Sequence, residues 1–207
     1  MDIYASDEEK GEEIKQWWRD NGRSVIISCV LGAAVIFSGR FWIDYKNTQS
    51  VNAAQAYQQV MILLGEGNAA DAEASTQVLF SGYADTPYAV FAAFDMAVQS
   101  VNDSVKAKTY LEWIINNATL TAHKDLAQLR LAQTLFIEQK FEQSLELAKS
   151  AQSLAFSSLW AELKGDIYVA QGNVEQARIE YQLALLSLTS GEPRQRVLRL
   201  KLDDVAG

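Results

Sequence analysis

The sequence predicts an all-α protein: a single N-terminal transmembrane helix followed by a domain of repeated helical pairs. Three observations predict it. Residues 24–39 form a sixteen-residue run without a charge, and Phe41-Trp42-Ile43 carries the apolar stretch past Arg40. In the C-terminal half, small and apolar residues recur at matching offsets 33 residues apart. The 207 residues include only 2 Pro and 11 Gly, few for an all-β chain with its frequent turns. With 49% hydrophobic residues the chain can bury a core.

The first 23 residues are long and largely acidic, unlike the short basic start of a cleaved signal peptide, and are expected as a cytoplasmic tail. Residues 24–43 then form the span, because twenty helical residues cover about 30 Å, one hydrocarbon core. Trp17 and Trp18 precede this stretch, while Trp42 and Tyr45 close it, the arrangement of interfacial aromatic belts. Arg40 lies near the end, where its stem can stay apolar while its guanidinium reaches the headgroups. Trp17, Trp18, Arg23, Gly39, Arg40 and Trp42 are the expected anchor and interface residues.

Orientation follows from basic residues. Lys10, Lys15, Arg19 and Arg23 stand before the span; Arg40 and Lys46 follow it, with no further basic residue until Lys106. The N-terminus is therefore expected in the cytoplasm and residues 44–207 on the far side, which in a bacterium is the periplasm. Cys29, the only cysteine, falls inside the membrane, which fits an oxidising compartment for the rest.

In the translocated part, Gly165, Tyr168, Gly172, Ala177, Tyr181 and Ala184 resemble the tetratricopeptide (TPR) repeat. Small residues stand where two helices approach closely, and bulky ones fill the gaps between hairpins. Thirty-three residues earlier, Ala132, Leu135, Gln139, Ser144, Ala148 and Ala151 take the same offsets, with Gln139 in place of the turn glycine. A worse unit lies 37 residues further back, with Val98, Asn102, Ala107, Leu111 and Ile114 in register. Residues 53–64 and 71–79, joined near Gly67, read as one more degenerate hairpin. The alternative is an ordinary helical bundle with coincidental spacing.

Helix punctuation agrees. Thr86-Pro87 reads as N-cap and first helical residue of a helix to about Ser100. Gly65-Glu66-Gly67-Asn68 and Gly172-Asn173 read as turns between helices. Ser190-Gly191-Glu192-Pro193 breaks the chain before a final helix over 194–205. Val197, Leu198, Leu200 and Leu202 are expected to cap the stack there, leaving Arg194, Arg196, Arg199 and Lys201 solvated.

Charge and composition exclude several functions. A net charge of -8 opposes nucleic-acid binding, which needs Lys and Arg to neutralise phosphates. One Cys and one His allow neither a disulfide within the chain nor a Cys/His zinc site. His123 has no neighbouring nucleophile in sequence and reads as a surface residue. The phosphate-binding glycine motifs do not occur. Trp113 and Trp160 fall at helical spacing and read as core. No catalytic, cofactor-binding or metal-ligating residue is expected, and the protein is read as not an enzyme.

What remains is a binding surface. In the TPR pattern, residues three before, one after and four after the small residue of the first helix line the inner face. These are Leu129, Gln133 and Phe136 in one repeat, and Glu162, Asp166 and Val169 in the next. Leu129, Phe136 and Val169 would form an apolar strip edged by Glu162 and Asp166, suited to a polypeptide. The alternative is that the C-terminal helix or a neighbouring repeat covers them.

Met1-Asp2-Ile3-Tyr4, Trp17-Trp18, Asn21-Gly22-Arg23, Gly39-Arg40-Phe41-Trp42, Ala54 to Tyr57, Thr86 to Ala89 and Lys201-Leu202-Asp203-Asp204-Val205 together resemble one family. It is the YfgM-like ancillary subunits of the bacterial SecYEG translocon. The resemblance covers the whole chain and departs mostly at 98–122. It implies a single-pass inner-membrane protein with a cytoplasmic N-terminus and a periplasmic TPR-like domain. It also implies association with SecYEG and with the membrane-anchored chaperone PpiD, and a role in passing newly translocated, unfolded proteins to periplasmic chaperones. The other reading is a structural scaffold for an envelope complex, without client binding.

Overall fold

The chain has no proline before Pro87, and nothing interrupts its first helix. In the computed structural model, which describes residues 7–151, 154–189 and 191–205, helix α1 runs Asp7–Gly65, 59 residues. The expected span and the expected helix over 53–64 are two parts of this one helix. Polar residues between them stay helical with local bonds: Thr48 Oγ1 donates to the Asp44 carbonyl at 2.9 Å, and Gln49 Nε2 to Tyr45 Oη at 3.0 Å. Part of the acidic leader is helical as well. The Met1-Asp2-Ile3-Tyr4 match and Ser190 of the expected chain break lie outside the described residues.

The chain divides into two compact units, one ending at Val51 and one beginning at Asn52. In the first, the apolar side chains Ile26, Val30, Val35, Phe37 and Phe41 are all exposed. Among the described residues α1 alone is long and apolar enough to cross a membrane, with a mean hydropathy of 1.9 in its most apolar window.

The second unit continues with α2 (Ala69–Gly82), α3 (Pro87–Gln99), α4 (Ser104–Asn117), α5 (Thr121–Ile137), α6 (Phe141–Ser150), α7 (Ser157–Ala170), α8 (Val174–Leu186) and α9 (Arg194–Asp204). A short 3-10 turn at Leu154–Phe156 leads into α7. No strand occurs among the described residues. The last turns of α1 pair with α2, then α3 with α4, α5 with α6 and α7 with α8. The buried clusters bridge successive hairpins. Ala53, Val60 and Leu79 of the first pack with Ala89 and Met96 of α3, and Leu129, Ala132 and Ala148 of the third with Trp160 and Ile167 of α7. Local clusters in a row are what a stack of repeats produces.

Three of the turns share one geometry. Gly67, Gln139 and Gly172 have φ of 75°, 61° and 76°. Each donates its N–H three residues back, to Leu64, Phe136 and Val169, and the following residue donates five back, to Leu63, Leu135 and Tyr168. This is the Schellman helix ending, which requires a left-handed residue. Glycine takes that conformation freely; Gln139 does so with a Cβ in the way. Asn68 and Asn173 then cap the next helix, accepting from Asp71 N and Gln176 N. The α3–α4 connection (100–103) is one residue longer and lacks this ending, which accounts for the poor repeat register there.

Small residues stand where the pattern puts them. A Cβ on Gly165 would lie 2.4 Å from the Tyr181 ring. In the preceding repeat Ser144 Oγ donates to the Ala132 carbonyl at 2.7 Å, both residues being fully buried. Trp160 is buried, and Trp113 stacks on Phe80 with centroids 3.9 Å apart. Thr86 precedes α3 in extended geometry with Pro87 at its start, but its hydroxyl donates back to the Tyr83 carbonyl and not into the helix.

The final helix departs from expectation. Leu198 is fully buried against Ala161, Ala177, Tyr181 and Ala184, with Leu202 beside it, whereas Val197 and Leu200 are exposed. Four residues of spacing put 198 and 202 on one face; 197 and 200 fall outside it. Arg194 and Lys201 are not solvated but paired with acids on α7.

Candidate functional site

Helices α5 and α7 stand side by side and leave a cleft of about 470 Å³. Gln133, Phe136 and Ile137 line it from α5; Leu159, Glu162, Leu163 and Asp166 line it from α7. Four of the six expected groove residues therefore meet: Gln133, Phe136, Glu162 and Asp166. Leu129 does not join them. It is 2% exposed and sits in the core with Ala132, three residues on and hence on the same helix face. Val169 is 43% exposed and stands apart from the cleft lining. The apolar strip of Leu129, Phe136 and Val169 is thus not assembled.

The acidic edge is already engaged. Lys201 Nζ donates to Glu162 Oε1 at 2.9 Å and to the Asp166 oxygens at 2.7 and 2.8 Å, and Arg194 pairs with Glu162. Tyr181 Oη also donates to Asp166 Oδ1, at 2.7 Å. Arg194 and Lys201 are seven residues apart, two turns, so both point from one side of α9. Burial works to raise the Glu162 carboxyl, but hydrogen bonds from Arg194 and Lys201 outweigh it and hold the group below its ordinary value. Burial works to lower Lys201, but its bonds to Asp166 and Glu162 raise it. Burial first, then the Asp166 bond, pushes the Tyr181 phenol up. The last helix thus occupies the edge where a further repeat would stack.

A second cleft, about 310 Å³, opens between α3, α4 and α5. Phe94, Ala97, Val98 and Val101 form one wall, Ala107 and Leu111 the floor, and Arg130, Gln133, Thr134, Ile137 and Glu138 the other wall. Gln133 and Ile137 line both clefts, so the two lie side by side along α5. Val98 is 74% and Ile137 78% exposed. Sequence reasoning missed this cleft. The available signal was apolar Val98 and Val101 in and beside a turn, where polar residues are usual.

An aromatic row extends from α1 across α3 to α5. Tyr57, Tyr88 and Phe91 have centroids 6.0 to 6.2 Å apart, and His123 meets Phe91 edge-on at 5.8 Å. Tyr57 Oη donates to Asp95 Oδ2 at 2.7 Å; burial, then that bond, pushes its phenol up to about 12. Among the described residues, no group of three or more His, Cys, Asp or Glu could hold a metal ion.

The anchor residues Trp17, Trp18, Arg23, Gly39, Arg40 and Trp42 all lie exposed on α1. Trp17 and Trp18 have centroids 6.5 Å apart, and Lys46 Nζ stands 5.9 Å from the Trp42 ring centroid.

Comparison with known proteins follows the same lines. The family model for a tetratricopeptide repeat-like domain matches residues 15–207. The chain belongs to this tetratricopeptide repeat-like family. Over 207 residues it is 24% identical to a protein of Haemophilus influenzae, across 99% of this chain and 100% of that one. It is 26% identical to one of Aggregatibacter actinomycetemcomitans with the same coverage. It is 22% identical to one of Escherichia coli K12 over 189 residues, 90% of this chain and 91% of that one. Each of these relatives is named an ancillary SecYEG translocon subunit. The resemblance read from the sequence therefore holds along the length of this tetratricopeptide repeat-like chain. The translocon names of the relatives and the apolar helix α1 both point to an inner-membrane protein.

Proposed function

We propose that this protein is a non-enzymatic ancillary subunit of the SecYEG translocon, held in the inner membrane by α1 with its N-terminus in the cytoplasm. Its periplasmic TPR-like domain binds newly translocated, unfolded polypeptide and helps pass it to periplasmic chaperones, with PpiD as the chaperone partner. The observation that carries the binding role is the pair of neighbouring clefts that share Gln133 and Ile137, with apolar side chains left open to solvent. An anchor beside the channel would raise the domain's effective concentration at the exit without adding contacts.

Site-specific photo-crosslinking from positions 136 and 137 during translocation tests this. Crosslinks to many different nascent chains are expected. A single fixed partner at both positions would favour the scaffold reading, and copurification from solubilised membranes without SecYEG would remove the translocon assignment.

A further inference from the structure

The cleft between α3, α4 and α5 carries a charge asymmetry that general polypeptide binding does not require. Its two charged lining residues are Arg130 and Glu138. Glu138 is already saturated: Lys108 Nζ donates to it at 2.6 and 2.8 Å, and Lys140 Nζ lies 2.7 Å away. Arg130 donates only to the neutral Gln133 Oε1, at 3.2 Å, and no carboxylate pairs with it among the described residues. In a chain of net charge -8, this cleft thus sets an uncompensated guanidinium beside an apolar hollow, while its one anion is held by two lysines from outside the lining.

We propose that this cleft recognises a polypeptide segment with a large apolar side chain one or two residues from an aspartate or glutamate. The apolar side chain enters between Phe94, Val98 and Ile137, and the carboxylate meets Arg130, whose planar fork suits that group. Gln133 and Ile137 line this cleft and the neighbouring one alike, so a polypeptide seated here meets side chains of both. The inference rests on the polypeptide-binding reading and adds its sequence preference.

The test uses full-length protein in nanodiscs, with empty nanodiscs subtracted. Fluorescein-labelled peptides of one sequence centred on Phe, flanked by Glu, Gln or Lys, are titrated by fluorescence anisotropy. At low salt the Glu-flanked peptide binds about fivefold more tightly than the Lys-flanked one, a difference that high salt erases. Arg130→Glu, at an exposed position, reverses the order, and Ile137→Asp weakens all three. Equal affinities, or an order unchanged in Arg130→Glu, overturn the inference and leave polypeptide binding standing. Absence of binding by any of the three overturns both.

Discussion

Gly165 lies so close to Tyr181 that its missing side chain is a structural requirement: an added Cβ would stand 2.4 and 2.5 Å from two ring carbons. The ring cannot easily retreat, because it is buried and its hydroxyl is bonded to Asp166. Gly165→Ala should therefore lower stability by about 1–3 kcal/mol despite the better helix propensity of alanine. Urea unfolding of the purified chain measures this. A neutral or stabilising result would mean that α7 and α8 separate readily, contrary to the packing described.

Gln139 occupies a left-handed turn position that its two counterparts give to glycine. Gln139→Gly should stabilise the protein by about 0.5–1 kcal/mol, the steric relief exceeding the extra chain entropy of glycine. Gly172→Ala should shift the unfolding midpoint the other way. Thermal melts of both variants under one condition suffice, and equal shifts of one sign would contradict the shared geometry.

Lys201 links α9 to two acids of α7 that are themselves largely covered. Removing the cation in Lys201→Ala leaves those carboxylates less compensated. A loss of about 1–2 kcal/mol is expected, between the values for exposed and for buried pairs. Lys201→Arg should recover part of it. If alanine and arginine behave alike, the bridge contributes little.

Acid should weaken the fold through Glu138 and Glu162. Hydrogen bonds from Lys108, Lys140 and Ser104 hold the Glu138 carboxyl at about 2, below its ordinary 4.5. A carboxyl depressed on folding contributes stability that is complete above its unfolded value and disappears as pH falls through the folded one. Glu162 is shifted in the same direction. The unfolding midpoint should thus decline from about pH 5 towards pH 2. In Glu138→Gln the curve should start lower near neutrality and fall less steeply. A parallel decline in both proteins would place the acid sensitivity elsewhere.

Much of the fold was legible because repeats advertise themselves twice. The step from Gly172 back to Gln139 fixed the register of α5 to α8, although one residue was the wrong type for a turn. The four-residue α3–α4 connection hid the register there, since one inserted residue shifts every later position. The groove was harder. A repeat template assumes that another repeat follows, whereas α9 follows α8 and delivers Arg194 and Lys201 to the acids. Helical spacing alone also cannot say which of two adjacent faces is covered, and Leu129 fell on the covered one, away from the groove. The α3–α5 cleft depends on Val98 and Ile137 lying opposite each other, a relation between distant residues that no local pattern encodes.

Leu198 has a consequence for biosynthesis. The segment that seals Ala177, Tyr181 and Ala184 is synthesised after them. A polypeptide truncated before Arg194, by stalling or by a nonsense mutation, would expose an oily end at the tip of the array. Such an end invites degradation or joining to another copy, so the eleven residues of α9 certify that translation has passed the last repeat.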